Sequence, residues 1–363
     1  MAGRVRVLDL IPFGPAERAR IDEASPHFAI EHRDDANTQA GVDALADPDL
    51  EILLGSYGPT DAARLPRLRW IASITAGIEE ILITHPERRG ITVTNGSGLH
   101  VVAMGEYVIA SLLQITQRVP LRLEHQRRGH WPAWRSEEWF DASGTRLRGT
   151  TLVVVGYGSV GREIARLATA HGMRVIAVKA RPSDLRDPGF REPGTGDPDG
   201  TIPERIVGDD ALGDVLGIAD FVAITVPLTR RTRGLVDEAF LAKMRASAWL
   251  INVGRGGHAD ERALLAALRE GRIAGAVLDV FADEPLPRES PFWALPNVII
   301  TPHLAGVAGT ERFWAAAAEL IAENLGRYAR GERAASRTHE GRDGRGPAGP
   351  PAAAHRARAR GAE

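Results

Sequence analysis

Thr151-Leu152-Val153-Val154-Val155-Gly156-Tyr157-Gly158-Ser159-Val160-Gly161-Arg162-Glu163-Ile164-Ala165-Arg166-Leu167-Ala168 decides the fold. Five β-formers lead into glycines spaced G-x-G-x-x-G, and helix formers follow. That order spells strand, tight turn, helix. Gly156 makes the turn, Gly158 lets a pyrophosphate approach the backbone, and Gly161 allows close packing of helix on strand. The first N–H groups of the helix, around Ser159 and Val160, then face the phosphates. A dinucleotide site is expected here. Without a ligand, the same glycines would serve an ordinary strand-to-helix turn.

Further short apolar runs extend the pattern on both sides. Met173–Val178, Asp220–Val226, Ala248–Val253, Gly275–Val280 and Val298–Thr301 read as strands that alternate with helical stretches. Val5–Leu10, Glu51–Leu54, Arg69–Ile74 and Ile91–Thr94 do the same in the first hundred residues. Repeated βα units predict parallel sheets with helices on both faces, so the fold class is α/β with two doubly wound domains. Val102–Gln126 reads as one long helix, and the Trp-rich stretch His130–Phe140 as a loop or arm. Pro182–Pro203 is rich in Pro and Gly and reads as a loop on the rim of the second domain. Thr310–Arg330 is an amphipathic helix. From Gly331 onward Gly, Pro, Ala and Arg dominate, so residues 331–363 read as a disordered tail.

Composition narrows the function. The chain has 363 residues, enough for two domains. Net charge is −2, with 45 basic and 47 acidic residues, which gives no sign of a nucleic-acid or polybasic membrane protein. There is no Cys, so disulfides, thiolate metal sites and a Cys nucleophile are excluded. No metal-ligand spacing is seen. The N-terminal run is interrupted by an acid and no apolar stretch reaches membrane-spanning length, so a cytoplasmic location is expected.

The second strand of the series ends at Lys179, 18 residues beyond Gly161. An NAD site takes Asp or Glu at about this place, to accept from the ribose hydroxyls. Lys179, with Arg181 two residues on, can instead pair with a 2′-phosphate. NADP(H) is therefore favoured, with NAD(H) as the alternative in which both cations are solvated rim charges. Three chemical residues follow later strands: Arg255 in Asn252-Val253-Gly254-Arg255-Gly256-Gly257, Glu284 in Asp279–Leu286, and His303 in Pro302-His303-Leu304. Ligands of open α/β sheets bind outside the carboxyl ends of strands, so all three project to the edge where a nicotinamide would lie. Taken singly they read as a surface charge, a helix-start acid and a turn histidine.

These motifs, with Val226-Pro227-Leu228-Thr229, Thr232 and Gly234-Leu235, together resemble the D-isomer-specific 2-hydroxyacid dehydrogenase family across residues 45–330. The nearest likeness is to its glyoxylate/hydroxypyruvate reductase-like branch. The resemblance implies a flavodoxin-like substrate domain (1–100 plus 304–330) and a Rossmann cofactor domain (101–303), with the active site in the cleft between them. It implies reduction of a small 2-oxoacid to a D-2-hydroxyacid, or the reverse, by hydride transfer. Arg255 would bind the substrate carboxylate and keto oxygen, His303 would be the acid/base, and Glu284 would hold and polarise His303. Ala76 and Gly77 would offer amides to the carboxylate, and Asp279 would contact the nicotinamide amide. Ser159, Val160, Val226, Pro227, Thr232, Val253, Gly254 and Gly306 fall at further cofactor-lining positions. A homodimer is the family expectation. Phosphite-type dehydrogenases and a corepressor-like NAD(P)-sensing binding protein share these motifs and are the alternatives.

Overall fold

The computed structural model describes residues 4–24, 26–187, 189–306 and 310–335. In chain order the elements begin with β1 (Val5–Asp9), α1 (Pro15–Asp22), β2 (Phe28–His32), α2 (Gln39–Asp43), β3 (Leu50–Leu54), β4 (Trp70–Ala72), α3 (Glu79–Leu82) and β5 (Thr92–Thr94). Next come α4 (Val101–Thr116), α5 (Val119–Arg127), α6 (Glu137–Asp141), β6 (Thr151–Val155), α7 (Ser159–Ala170), β7 (Arg174–Val178) and β8 (Arg205–Val207). The remainder is α8 (Leu212–Leu216), β9 (Phe221–Ile224), α9 (Glu238–Lys243), β10 (Trp249–Asn252), α10 (Glu261–Arg269), β11 (Gly275–Leu278), β12 (Val298–Ile300) and α11 (Glu311–Ala329). Two compact units result. One is drawn from the described residues of Met1–His100, Pro188–Glu192 and Ala308–Glu363, the other from those of Val101–Asp187 and Pro193–Val307.

The first unit holds a parallel sheet in the order β2-β1-β3-β4-β5. This is the flavodoxin-like order. Strands covered on both faces read as apolar runs, and β3 shows why: Ile52 and Leu54 face one core, Leu53 the other. Along α11, Phe313, Ala317, Leu320, Ile321 and Leu325 recur at helical spacing and enter the first of those cores. Each large side chain buried there contributes about 1.5–3 kcal/mol. Thr310 caps this helix by accepting from the Phe313 amide.

The second unit holds seven parallel strands in the order β12-β11-β10-β9-β6-β7-β8. Chain order reverses direction at the β6–β9 pair, as in a Rossmann sheet. The apolar stretch 102–126 does not form one helix, as the sequence suggested. It breaks between α4 and α5, where Arg118 adopts φ 52°. Pro120 lacks an N–H, and its ring opposes the carbonyl four residues back. That carbonyl, of Thr116, instead accepts from the Thr145 amide at 2.6 Å. The Trp-rich arm contains α6, capped by Ser136, and leaves Trp131, Trp134 and Phe140 exposed.

The segment 182–203 carries no described helix or strand. It is more than a rim loop of the second unit, because residues 189–192 cluster with the first. There Phe190 packs against the first unit's core and its amide donates to the Ala335 carbonyl at 3.1 Å. The Ala335 amide donates to Asn324 Oδ1 at 2.6 Å. The packed chain therefore runs past the compositional change at Gly331, through Ala335. The rest of the expected tail, 336–363, lies outside the described residues. Among the described residues no helix is long and apolar enough to cross a membrane.

Candidate active site

The loops after β6 and β9 part at the sheet's switch point, and the glycine motif lies in that crevice. Gly156 has φ +106°, and a Cβ there would lie 2.7 Å from the Val226 amide nitrogen. A Cβ on Gly161 would lie 2.3 Å from the Gly156 carbonyl oxygen. No other residue fits either place. Helix α7 opens at Ser159 behind Gly158, which has no side chain to cap it. A helix start presents donors and the positive end of the dipole to an anion, so the cradle fits a phosphate group. Val226 is half-buried and Pro227 exposed beside it. Thr232 closes the adjoining turn: its hydroxyl donates to the Pro227 carbonyl at 2.6 Å and accepts from the Thr229 amide at 2.8 Å. The Val253 side chain packs into the core, so this residue presents main chain rather than side chain. At the end of β7 the Lys179 ammonium donates to the Asp184 carbonyl, and Arg181 is exposed.

Arg255, Glu284 and His303 follow the neighbouring strands β10, β11 and β12. Buried Asn252 sets the first turn: its Oδ1 accepts from the Gly254 amide and its Nδ2 donates to the Arg255 carbonyl, both at 3.1 Å. Gly256 then lets this turn lie against the next loop, since a Cβ there would sit 1.8 Å from the Phe281 carbonyl carbon. From that loop, Glu284 Oε1 accepts from the Phe281 amide at 2.9 Å, and Oε2 lies 2.7 Å from His303 Nδ1. A carboxylate only accepts, so Nδ1 carries the proton and Nε2 is the ring nitrogen left for a substrate. The His303 side chain is 48% exposed, open enough for a ligand to reach it. Gly306 ends this described segment.

Asp279, expected at the site, is joined there by three residues that the sequence reading did not assign: Thr301, Tyr107 and His258. Asp279 is buried, and its Oδ1 accepts from Thr301 Oγ1 at 2.6 Å and the Leu304 amide at 2.8 Å. Its Oδ2 accepts from the Ala305 amide at 3.0 Å. Its carboxylate thus holds the His303 turn. Since Thr301 donates to Asp279, the Tyr107 hydroxyl donates to Thr301, at 2.6 Å. Burial raises the Tyr107 pKa, which keeps it a donor. Fully buried His258 accepts the Arg255 amide on Nδ1 at 3.0 Å. Burial, together with the charges of Arg255 and Arg233, pushes its pKa below the usual histidine value despite the Pro227 carbonyl. Sequence spacing offered one signal for His258, three residues after Arg255; Tyr107 and Thr301 carry no spacing that ties their hydroxyls to Asp279.

In the first unit, Ala76 and Gly77 lie in the turn after β4. Asn95 Nδ2 donates to the Ala76 carbonyl at 2.9 Å, and Thr75 Oγ1 to the Gly77 carbonyl at 2.6 Å. The turn is fastened through its carbonyls, which suits it to offer amides to an anion.

Residues 109–305 match the family described as D-isomer specific 2-hydroxyacid dehydrogenase, NAD binding domain. A glyoxylate reductase of Korarchaeum cryptofilum is 34% identical over 315 residues, 86% of each chain. Glyoxylate/hydroxypyruvate reductase B of Yersinia enterocolitica is 32% identical, over 80% of this chain and 87% of that one. Among solved structures, a D-isomer specific 2-hydroxyacid dehydrogenase of Xanthobacter autotrophicus Py2, in complex with NADPH and MES, aligns with TM-score 0.73 and 29% identity. That alignment covers 95% of this chain and all of the other. A family protein of Aeromonas salmonicida aligns at TM-score 0.72 with 30% identity, over 92% and 97% of the two chains. With two sheets in flavodoxin-like and Rossmann order, a glycine cradle at the switch point and a His–Glu pair on the strand ends, the chain belongs to the D-isomer-specific 2-hydroxyacid dehydrogenases, a family of nicotinamide-dependent oxidoreductases.

Proposed function

We propose that this enzyme reduces small 2-oxoacids of the glyoxylate and hydroxypyruvate type to D-2-hydroxyacids, with NADP(H) preferred over NAD(H). The observation that carries this reading is the 2.7 Å His303–Glu284 pair beside the Arg255 turn. The glycine cradle would hold the cofactor's pyrophosphate, and Lys179 and Arg181 its 2′-phosphate. When bound, the nicotinamide supplies or accepts the hydride. His303 protonates the developing alkoxide oxygen through Nε2, while Glu284 keeps Nδ1 as a donor and stabilises the charged ring. In the reverse direction the same nitrogen takes the hydroxyl proton. Arg255 offers its fork of donors to the planar carboxylate. By the family resemblance, the Ala76 and Gly77 amides would be further donors to a substrate carboxylate. Asp279 keeps the His303 backbone in place.

The names of the relatives support the substrate class, and Lys179 supports the cofactor preference. Exposed Trp131, Trp134 and Phe140 support a homodimer formed through the 130–140 arm. The test is steady-state turnover of glyoxylate, hydroxypyruvate, pyruvate and bulkier 2-oxoacids, each with NADPH and NADH. Glyoxylate or hydroxypyruvate with NADPH should give the highest kcat/KM. Absence of 2-oxoacid turnover, with phosphite-driven reduction of NADP⁺ in its place, would replace this reading by the phosphite-type alternative.

A further inference from the structure

We propose that Asp184 is a specificity-determining residue: a fixed negative charge that shares Lys179 with the cofactor's 2′-phosphate and so limits how tightly NADP(H) is held. The inference rests on Lys179 being the cation that reads the adenosine ribose. Strand β7 pairs with β6 along its whole length, and the Gly156 amide donates to the Val178 carbonyl at 2.9 Å. The residue after Val178 therefore lies beside the first glycine of the cradle. That residue, Lys179, is only 17% exposed, and its ammonium donates to the Asp184 carbonyl. The Asp184 carboxylate is 4.0 Å from the same nitrogen. The Asp184 amide returns to the Arg181 carbonyl at 3.1 Å, which curls residues 181–184 back over the end of β7.

The position of Asp184 is built in. The carbonyl of its neighbour Leu185 accepts from Arg162 Nη2 at 2.6 Å. Arg162 is buried in α7, the helix that opens at the cradle, and it also donates to the Asp197 carbonyl. The loop is thus pinned to the element that would bind the pyrophosphate. A 2′-phosphate brings up to two negative charges to Lys179, where a carboxylate already stands. The ribose hydroxyls of NADH bring none. Asp184 should therefore oppose NADPH and leave NADH nearly untouched.

The experiment is direct measurement of dissociation constants for NADPH and NADH, by calorimetry without substrate, on the full chain. Asp184→Asn keeps the main-chain carbonyl and removes the charge. It should bind NADPH roughly two- to fivefold tighter, with NADH changed by less than about 1.5-fold. The gain should shrink with added salt. Asp184→Ser, measured beside it, separates loss of charge from loss of shape, and melting temperatures check that both fold. Unchanged or weaker NADPH binding in both variants overturns the proposal. Lys179→Ala tells the two failures apart. If it weakens NADPH at least about tenfold while Asp184→Asn does nothing, the cofactor reading stands and the role of Asp184 is wrong. If it leaves NADPH binding unchanged, the cofactor reading fails and the proposal falls with it.

Discussion

His303 adopts φ 54°, a left-handed conformation that a non-glycine residue holds only when its surroundings impose it, at about 1–3 kcal/mol. The imposing groups are visible. The His303 amide donates to the Asp279 carbonyl at 2.8 Å, and the next two amides donate to the Asp279 carboxylate. The strain aims the imidazole at Glu284, so the pair is preorganised. His303→Ala should lower kcat by roughly 10²–10⁴ while leaving the NADPH dissociation constant within about twofold. Turnover within threefold of wild type would remove His303 from the mechanism. His258 gives a pH prediction of a different kind. Its folded pKa lies below the unfolded value near 6.5, so the unfolded chain binds a proton that the fold excludes. That stability is complete above pH 6.5 and declines as pH falls toward the folded pKa, by at most about 1.4 kcal/mol per pH unit. Urea denaturation from pH 7.5 to 5 should show this decline in wild type and a flatter profile in His258→Gln; parallel profiles would mean that His258 is not the group responsible.

At the scale of elements, the join of α7 to the segment 182–203 is the least expected feature. Asp197 is buried and accepts from the Tyr157 hydroxyl at 2.6 Å and from the Thr201 and Ile202 amides, each at 3.0 Å. Burial works to raise its pKa, but Tyr157, these amides and Arg162 outweigh it, so the carboxyl is held below its usual 3.8. A lowered acid stabilises the fold above its unfolded pKa and loses that effect as pH falls through the folded one. Wild type should therefore be more stable than Asp197→Asn above about pH 4, and the gap should close below it. Urea midpoints measured from pH 7 to 3 decide the matter, and a constant gap would show that the charge of Asp197 is irrelevant. Helix α4 makes a related point about reading elements. Its apolar face was legible, but its end was not, since the Thr116 carbonyl is claimed by Thr145, 29 positions along the chain. Strands β2 and β8 were missed for a similar reason. β2 and β8 lie at the sheet edges, with only partial burial, and pairing with β1 and β7 defines them.

For the whole molecule, the Trp-rich arm carries the most exposed large apolar side chain among the described residues, Trp131. Trp131 is 91% and Trp134 73% exposed, far more than a large aromatic usually shows. If two copies meet through this arm, sedimentation should give about twice the 39.1 kDa chain mass for wild type. Trp131→Ala with Trp134→Ala should shift the equilibrium toward monomer at micromolar concentration. A wild-type monomer at that concentration would assign the arm to something other than self-association.

The order of residues along the chain is enough to define the class of fold and to single out Arg255, Glu284 and His303 as candidates for the site. Strand runs, glycine spacing and the order of Arg255, Glu284 and His303 are local or periodic signals, set by backbone sterics and by burial of one face after another. Tertiary structure decided what lies between distant segments. It placed Glu284 on His303, Asp279 under the His303 turn, and His258 on the Arg255 amide, none of which periodicity can express. It also tied the Pro- and Gly-rich segment to α7 through Asp197 and Arg162, and set Asp184 on Lys179. These contacts join residues that share no repeat. Their partners are chosen by which polar groups remain unsatisfied once the sheets have packed, and a buried donor or acceptor must find one.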